Sequence, residues 1–270
     1  MTRVDGKEAD MGLKVYDLSH VFTQFMPEWP SSPSVDIDID KFHARDGVYQ
    51  VQWEGIMHRC THMDAPLHVT ENTPSIADYP LWRLFGTGVC VSIPKGKWGV
   101  ITVEDLENAR PEIREGDIVV INTGFHHKWA DTDEYFAYGA GMSAEGAQWL
   151  VEKKVKMVAY GCQANDHPLA TKLVDHGLGP SHPHLIAEYK AETGRDPLED
   201  FPSWEPAHKT LMCKGGIPGI ENAGGQLDEI TGKRCTFMAF PWRWPGGDGS
   251  IVRLLAIVDP DQTFRFEKGE

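Results

Sequence analysis

The stretch "HRCTHMDAPLH", residues 58–68, sets His58, His62, Asp64 and His68 within eleven positions. All four side chains can bind a divalent cation or move a proton, and their spacing limits the backbone that carries them. An extended chain, rising about 3.3 Å per residue, would hold His58 and His62 roughly 13 Å apart. That is too far for ligands needing metal–nitrogen bonds of about 2.1 Å. A regular helix would pair His58 with His62 but turn Asp64 off their face, and Pro66 opposes helix just before it. A strand end bending tightly through Arg59 to Met63 lets all three converge. The motif is therefore expected at a strand-to-loop edge, on a rigid scaffold.

Two imidazoles and a carboxylate suit zinc, manganese or iron(II), leaving positions for water or distal ligands. His68, beyond Pro66, is the candidate proton carrier, because an imidazole titrates at about 6.5. A single histidine here would read as an ordinary polar loop residue. Four such groups at this spacing favour a metal site.

Around the motif, 13–18, 35–39, 48–57, 87–93, 116–124 and 155–160 read as strands, with 48–57 running straight into the motif. Residues 103–109 read as a helix with Thr102 as N-cap and Asp105 completing a capping box. Ser143 caps a second helix over 143–154, and 206–214 reads as a third, opened by Pro206 and stopped by Gly215-Gly216. The last strands are expected at 235–240 and 251–258. The pattern predicts one mixed α/β domain over the 270 residues. A stretch from about 163 to 206, rich in Pro, Gly, His and acidic residues, is expected to be a lid or subunit contact. It contains a short helix near 184–192. Within "ANDHPLATKLVDHGLGPSHPH" (164–184), His167 is the candidate for lining a substrate pocket, while Asp166, Asp175, His176, His182 and His184 are expected at the surface. His126-His127 follows "INTG" at a strand end, a place for a pocket rim.

The net charge of −14 repels phosphate backbones and anionic membranes, so nucleic acid is not an expected partner. No apolar run approaches the roughly 18–20 residues of a membrane span, and the first dozen residues lack a signal peptide's apolar core. Five cysteines without CxxC spacing fit a reducing compartment, and a cytoplasmic location is expected. Neither GxSxG nor GxxxxGK[ST] is present, so serine-hydrolase and P-loop chemistry have no anchor.

The motif resembles the HxGTHxDxPxH signature of the metal-dependent hydrolases known as cyclases, which include bacterial kynurenine formamidase, isatin hydrolase and trans-dienelactone hydrolase. Cys60 stands where that signature has glycine. "DLSHVFTQFMPEWPSSP" (17–33) resembles the family's opening segment, "AHKTLMCKGGIPGIEN" (207–222) its distal segment, and "PGGDGSIVR" (245–253) its late loop and final strand. The resemblance implies a single domain of the swivelling β/β/α type. It implies one or two divalent ions, Zn or Mn, with His58, His62 and Asp64 on the first and Asp64, His208 and Glu221 on the second. It also implies His68 as acid/base, Trp29 against a small-molecule substrate, and a homodimer or higher homo-oligomer. The expected activity is hydrolysis of a small cyclic or aryl amide, lactam or lactone. Two alternatives stand beside it: a non-haem iron oxygenase using a 2-His-1-carboxylate site, which commonly sits in an all-β jelly roll, and a catalytically silent metal-binding protein.

Overall fold

Three apolar runs form the middle of the molecule: Phe85–Ser92, Ile118–Asn122 and Met157–Tyr160 pair in parallel, side by side. The computed structural model describes residues 12–30, 32–174 and 180–262. Among these, nine strands join in one mixed sheet. Its spatial order is Lys14–Asp17, Leu255–Val258, Arg234–Met238, Phe85–Ser92, Ile118–Asn122, Met157–Tyr160, Gly219–Glu221, His62–Asp64 and Gly249–Ile251. Side chains alternate between faces, so one run feeds two cores. Val119 and Ile121 pack with Leu106, Leu150 and Leu211. Ile118 and Val120 pack with Met63, Leu227 and Phe237 on the other side. The result is one mixed α/β domain with helices against a curled sheet.

The capping signals hold. Thr102 Oγ1 accepts from the Asp105 amide at 3.3 Å, and the Asp105 carboxylate accepts from the Thr102 amide at 2.8 Å, opening the helix Val103–Asn108. Ser143 caps Ala144–Glu152. The third helix differs. It is one turn, Pro206–His208, that widens into π-helical turns over Lys209–Lys214.

Strand 48–57 is shorter than expected, Gln50–Glu54, and pairs only with Asp36–Lys41 in a separate hairpin. The motif's own strand is the three-residue His62–Asp64. The run 251–258 divides into Gly249–Ile251 and Leu255–Val258. No helix among the described residues is long and apolar enough to cross a membrane.

The stretch 163–206 is not an outlying insertion at its start. Gln163, Asn165, Asp166 and His167 are all buried, and Leu169, Leu173, Leu185 and Tyr189 build a smaller core with Trp98. Asp166 is fully buried, contrary to the surface position expected for it. His182 and His184 do lie further out, 3.3 and 3.6 Å from Asp133. Asp175 and His176 lie outside the described residues.

His167 is part of this core. Its Nε2–H donates to the Trp98 carbonyl at 3.0 Å, its Nδ1 accepts from the Leu169 amide at 3.2 Å, and its ring stacks on Phe201 at 4.0 Å. Both nitrogens are satisfied by the neutral ring, and burial lowers the pKa to about 4. The unfolded chain takes up this proton below about 6.5 and the folded chain does not, so stability falls as pH drops from about 6.5 towards 4. The loss attributable to His167 reaches roughly 3 kcal/mol. Urea unfolding at pH 7.5 and pH 5 should show a smaller pH-dependent loss in His167→Gln than in the wild type. An unchanged pH dependence would contradict the assignment.

Candidate metal centre

The centre is built where His62–Asp64 lies between two antiparallel neighbours. Glu221 is the cross-strand partner of His62 on one side, and Gly249 is that of Asp64 on the other. Alternation sends His62 and Asp64 to the same face. The preceding residues bend as the spacing required. Cys60 has φ +53°, a left-handed conformation, and its carbonyl accepts from His62 Nδ1 and Asn222 Nδ2, each at 3.0 Å. The bend swings His58 back until its Nδ1 lies 2.7 Å from Asp64 Oδ1. Gly249 leaves room for it: a Cβ there would stand 2.6 Å from the His58 ring. Arg59, also buried, donates to the Pro33 carbonyl and lies 3.8 Å from Glu28, tying the motif to the loop that carries Trp29.

His208 arrives from the helical turn Pro206–His208, held by Asp166. One Asp166 oxygen accepts from the Ala207 amide at 2.7 Å; the other accepts from the His208 amide at 2.9 Å and from His208 Nδ1 at 2.6 Å. His208 Nε2 therefore points at Asp64 Oδ2, 3.3 Å away, and Glu221 Oε1, 3.0 Å away. Asn165 fixes Glu221 through its backbone and side-chain N–H groups, at 2.8 and 2.9 Å.

Two triads result, His58–His62–Asp64 and Asp64–His208–Glu221, and in each the donor atoms lie within 4.8 Å of one another. Asp64 belongs to both. These residues fit a bound cation on the chemistry of their donors. The Cys60 carbonyl can only accept, so His62 Nδ1 carries a hydrogen, and in its neutral form the ring directs a lone pair from Nε2. That lone pair faces Asp64 Oδ1 at 3.3 Å and Glu221 Oε2 at 3.5 Å, both also lone-pair donors. Asp64 Oδ2 is buried without a hydrogen-bond partner. Donors facing donors at this range are stable only around positive charge. A carboxylate or backbone carbonyl on the remote nitrogen of each ligand histidine is the usual orienting device.

The titration behaviour expresses the same demand. Burial works against charging His58, yet Asp64 and Asp248 on its two nitrogens raise its pKa to about 10. Burial likewise opposes charge on His208, but Asp166, Asp64 and Glu221 raise it well above the ordinary value. Burial would raise the Asp64 pKa, and the charges of His62 and His58 hold it well below the usual carboxylate range instead.

His68 stands at the mouth, on the turn Pro66–Val69. Its ring stacks on His58 at 3.9 Å, its Nδ1 lies 3.8 Å from Asp248, and its side chain is one-third exposed. A cavity of about 220 Å³ opens here, lined by His58, His62, His68, His208 and Glu221 and faced by Trp29, Ile56, Phe136 and Trp204.

A family model named Cyclase matches residues 16–167, just over half of the chain. The chain belongs to the cyclase family. Cyclase-like protein 1 of Arabidopsis thaliana is 27% identical over 157 residues, covering 54% of this chain and 60% of that protein, less than two thirds of its length. Kynurenine formamidase of Erythrobacter litoralis (strain HTCC2594) is 22% identical over 251 residues, covering 92% and 95%. Among solved structures, isatin hydrolase A from Ralstonia solanacearum has the same fold. Its TM-score is 0.69 at 19% identity, covering 91% of this chain and 92% of that one.

In this cyclase-family chain, the matched region holds Trp29, His58, His62, Asp64 and His68, while His208 and Glu221 lie beyond it. The structure sets six of them on one cavity's lining, with buried Asp64 among the donor atoms beneath it. It does not bring His167 there; its saturated ring lines a separate depression beside Arg195 and Phe201. His126 and His127 are likewise not on the cavity's lining.

Three residues escaped the sequence reading. Asp166 and Asn165 sat in a segment read as loop. Asp248, whose Oδ2 lies 2.9 Å from His58 Nε2, sat in a quoted segment with no role attached. Only that Gly-rich turn beside a strand hinted at it.

Cys60 yields a stability test. Its left-handed backbone costs roughly 1–2 kcal/mol relative to glycine. Its thiol, though, is buried against Met26 and Val35 and lies 3.3 Å from the His20 carbonyl. Cys60→Gly loses the thiol but relieves the backbone, whereas Cys60→Ala loses the thiol and keeps the strain. Cys60→Ala should therefore be the less stable by about 1 kcal/mol in chemical unfolding. The reverse order would show that the bend carries no strain.

Proposed function

We propose that this chain is a metal-dependent hydrolase that opens a small cyclic or aryl amide, lactam or lactone. The observation that carries the reading is the pair of triads sharing buried Asp64 at the base of an aromatic-walled cavity. His58, His62 and Asp64 would hold one divalent cation and Asp64, His208 and Glu221 a second, zinc or manganese being suited to this nitrogen and oxygen set. Such a cation supplies Lewis acidity towards a carbonyl oxygen and acidifies water near neutral pH. His68 sits beside the centre with its ring reaching the cavity, and in our reading it accepts the attacking water's proton and delivers it to the leaving nitrogen or oxygen. Asp248, near both His58 and His68, steadies the imidazolium form between the two transfers. Trp29, edge-on to Phe136 at 6.1 Å, offers an apolar wall for a planar ring.

The names of the relatives support hydrolysis of this kind without fixing the bond or substrate. The oxygenase alternative gains nothing from the fold, a mixed sheet with a parallel centre rather than a jelly roll. We further propose a cytoplasmic homodimer. The hairpin Asp36–Lys41/Gln50–Glu54 stands apart from the main sheet and exposes Ile39, Val51 and Tyr49, an apolar surface that association would cover.

The test is hydrolysis by metal-loaded protein over a panel of cyclic and aryl amides, lactams and lactones, with His68→Ala beside the wild type. The variant should lose about 10²–10⁴-fold in turnover while keeping its metal. Unchanged turnover would remove His68 from proton transfer. Full metal content with no hydrolysis of any panel member would favour the silent metal-binding protein.

A further inference from the structure

Just beyond the C-terminal end of the strand Ile118–Asn122, a second group of donors converges. The helical turn Phe125–Lys128 carries His126 and His127, and the short helix Leu227–Ile230 carries Asp228. His126 Nε2 lies 3.3 Å from Asp228 Oδ1, and His127 Nε2 lies 3.0 Å from Asp228 Oδ2. His126 has a side-chain exposure of 5%; its Nδ1 has no hydrogen-bond partner and its Nε2 faces only the Asp228 carboxylate. A buried imidazole with one nitrogen unpartnered and the other aimed loosely at a carboxylate is costly unless something else meets it.

The geometry points to a second metal site, at His126, His127 and Asp228, for a divalent transition ion of the zinc type. Tetrahedral coordination with bonds of about 2.0–2.2 Å sets neighbouring donor atoms roughly 3.3–3.5 Å apart. The two nitrogen–oxygen separations stand close to that, and the three donor atoms lie within 4.8 Å of one another. Asp228 is held in place: Asn122 Nδ2 donates to its Oδ1 at 3.0 Å and to Thr231 Oγ1 at 2.9 Å, while Asn122 Oδ1 accepts from the Gly124 amide. Two imidazoles favour such an ion over calcium or magnesium. His127 and Asp228 are exposed, so the ion enters from solvent and keeps at least one coordination position for water.

The site would clip the loop after the central strand to the helix before Arg234–Met238. From that loop Trp129 stacks on His20 at 4.2 Å and meets Tyr135 edge-on at 5.1 Å. Tyr135 in turn donates to Asn222 at 2.6 Å, beside Glu221. An ion here braces the wall next to the main centre without touching the cavity.

Equilibrium dialysis against zinc, with zinc per chain read by mass spectrometry, tests this directly. The double variant His127→Ala/Asp228→Asn should bind one equivalent fewer than the wild type, with the remaining zinc unaffected. Equal content in the two proteins throughout the titration would overturn the site. Because Asp228 also supports Asn122, the folded wild type gives an independent reading. The ring-nitrogen resonances of His126 and His127 should move as zinc is added; resonances that stay fixed would overturn it equally.

Discussion

Asp64 is a carboxylate taken almost wholly out of water and surrounded by imidazoles, and much of the molecule is arranged to make that tolerable. A bare buried carboxylate would cost several kcal/mol or would simply take up a proton. Here it faces His58 and His62 through one oxygen and His208 through the other. The groups facing its two oxygens are imidazoles. The charge must be met by cationic imidazoles or by a metal, and the donors are fixed in directions that suit the metal.

Fixing them takes the fold. The central strands are buried on both faces and give a rigid base, on which a three-residue strand presents His62 and Asp64. Cross-strand pairing delivers Glu221, and a helical turn capped by Asp166 delivers His208. Each candidate ligand is oriented by a second group: Cys60 O for His62, Asp248 for His58, Asp166 for His208, Asn165 for Glu221. Removing any of them would leave the ligand in place and loosen its aim, which is how such outer contacts usually act.

Part of this was legible in the chain. Spacing alone required a tight bend through residues 59–63, and the left-handed Cys60 is that bend. The apolar runs at 116–124 and 155–160 gave central strands, and Thr102 and Ser143 marked helix starts through local chemistry. The distal candidates His208 and Glu221 came only through resemblance. Other features had no local signal. His62–Asp64 and Gly219–Glu221 are too short to show a period. Asp248 meets His58 from 190 residues away, which no window registers. Asp166 looks like any loop aspartate until the chain folds over it. His167 misled for a related reason: a histidine saturated by backbone groups reads the same in sequence as one facing a substrate.

Anomalous diffraction at the metal edge, from crystals of the protein grown with zinc or manganese, tests the central claim most directly. The account predicts one or two peaks within about 2.0–2.3 Å of the Asp64 carboxylate oxygens, one bounded by His58 and His62 and the other by His208 and Glu221. Crystals with no anomalous density beside Asp64, in protein whose side chains are otherwise placed as described, would show that protonated histidines alone balance the cluster. The metal centre would then be withdrawn.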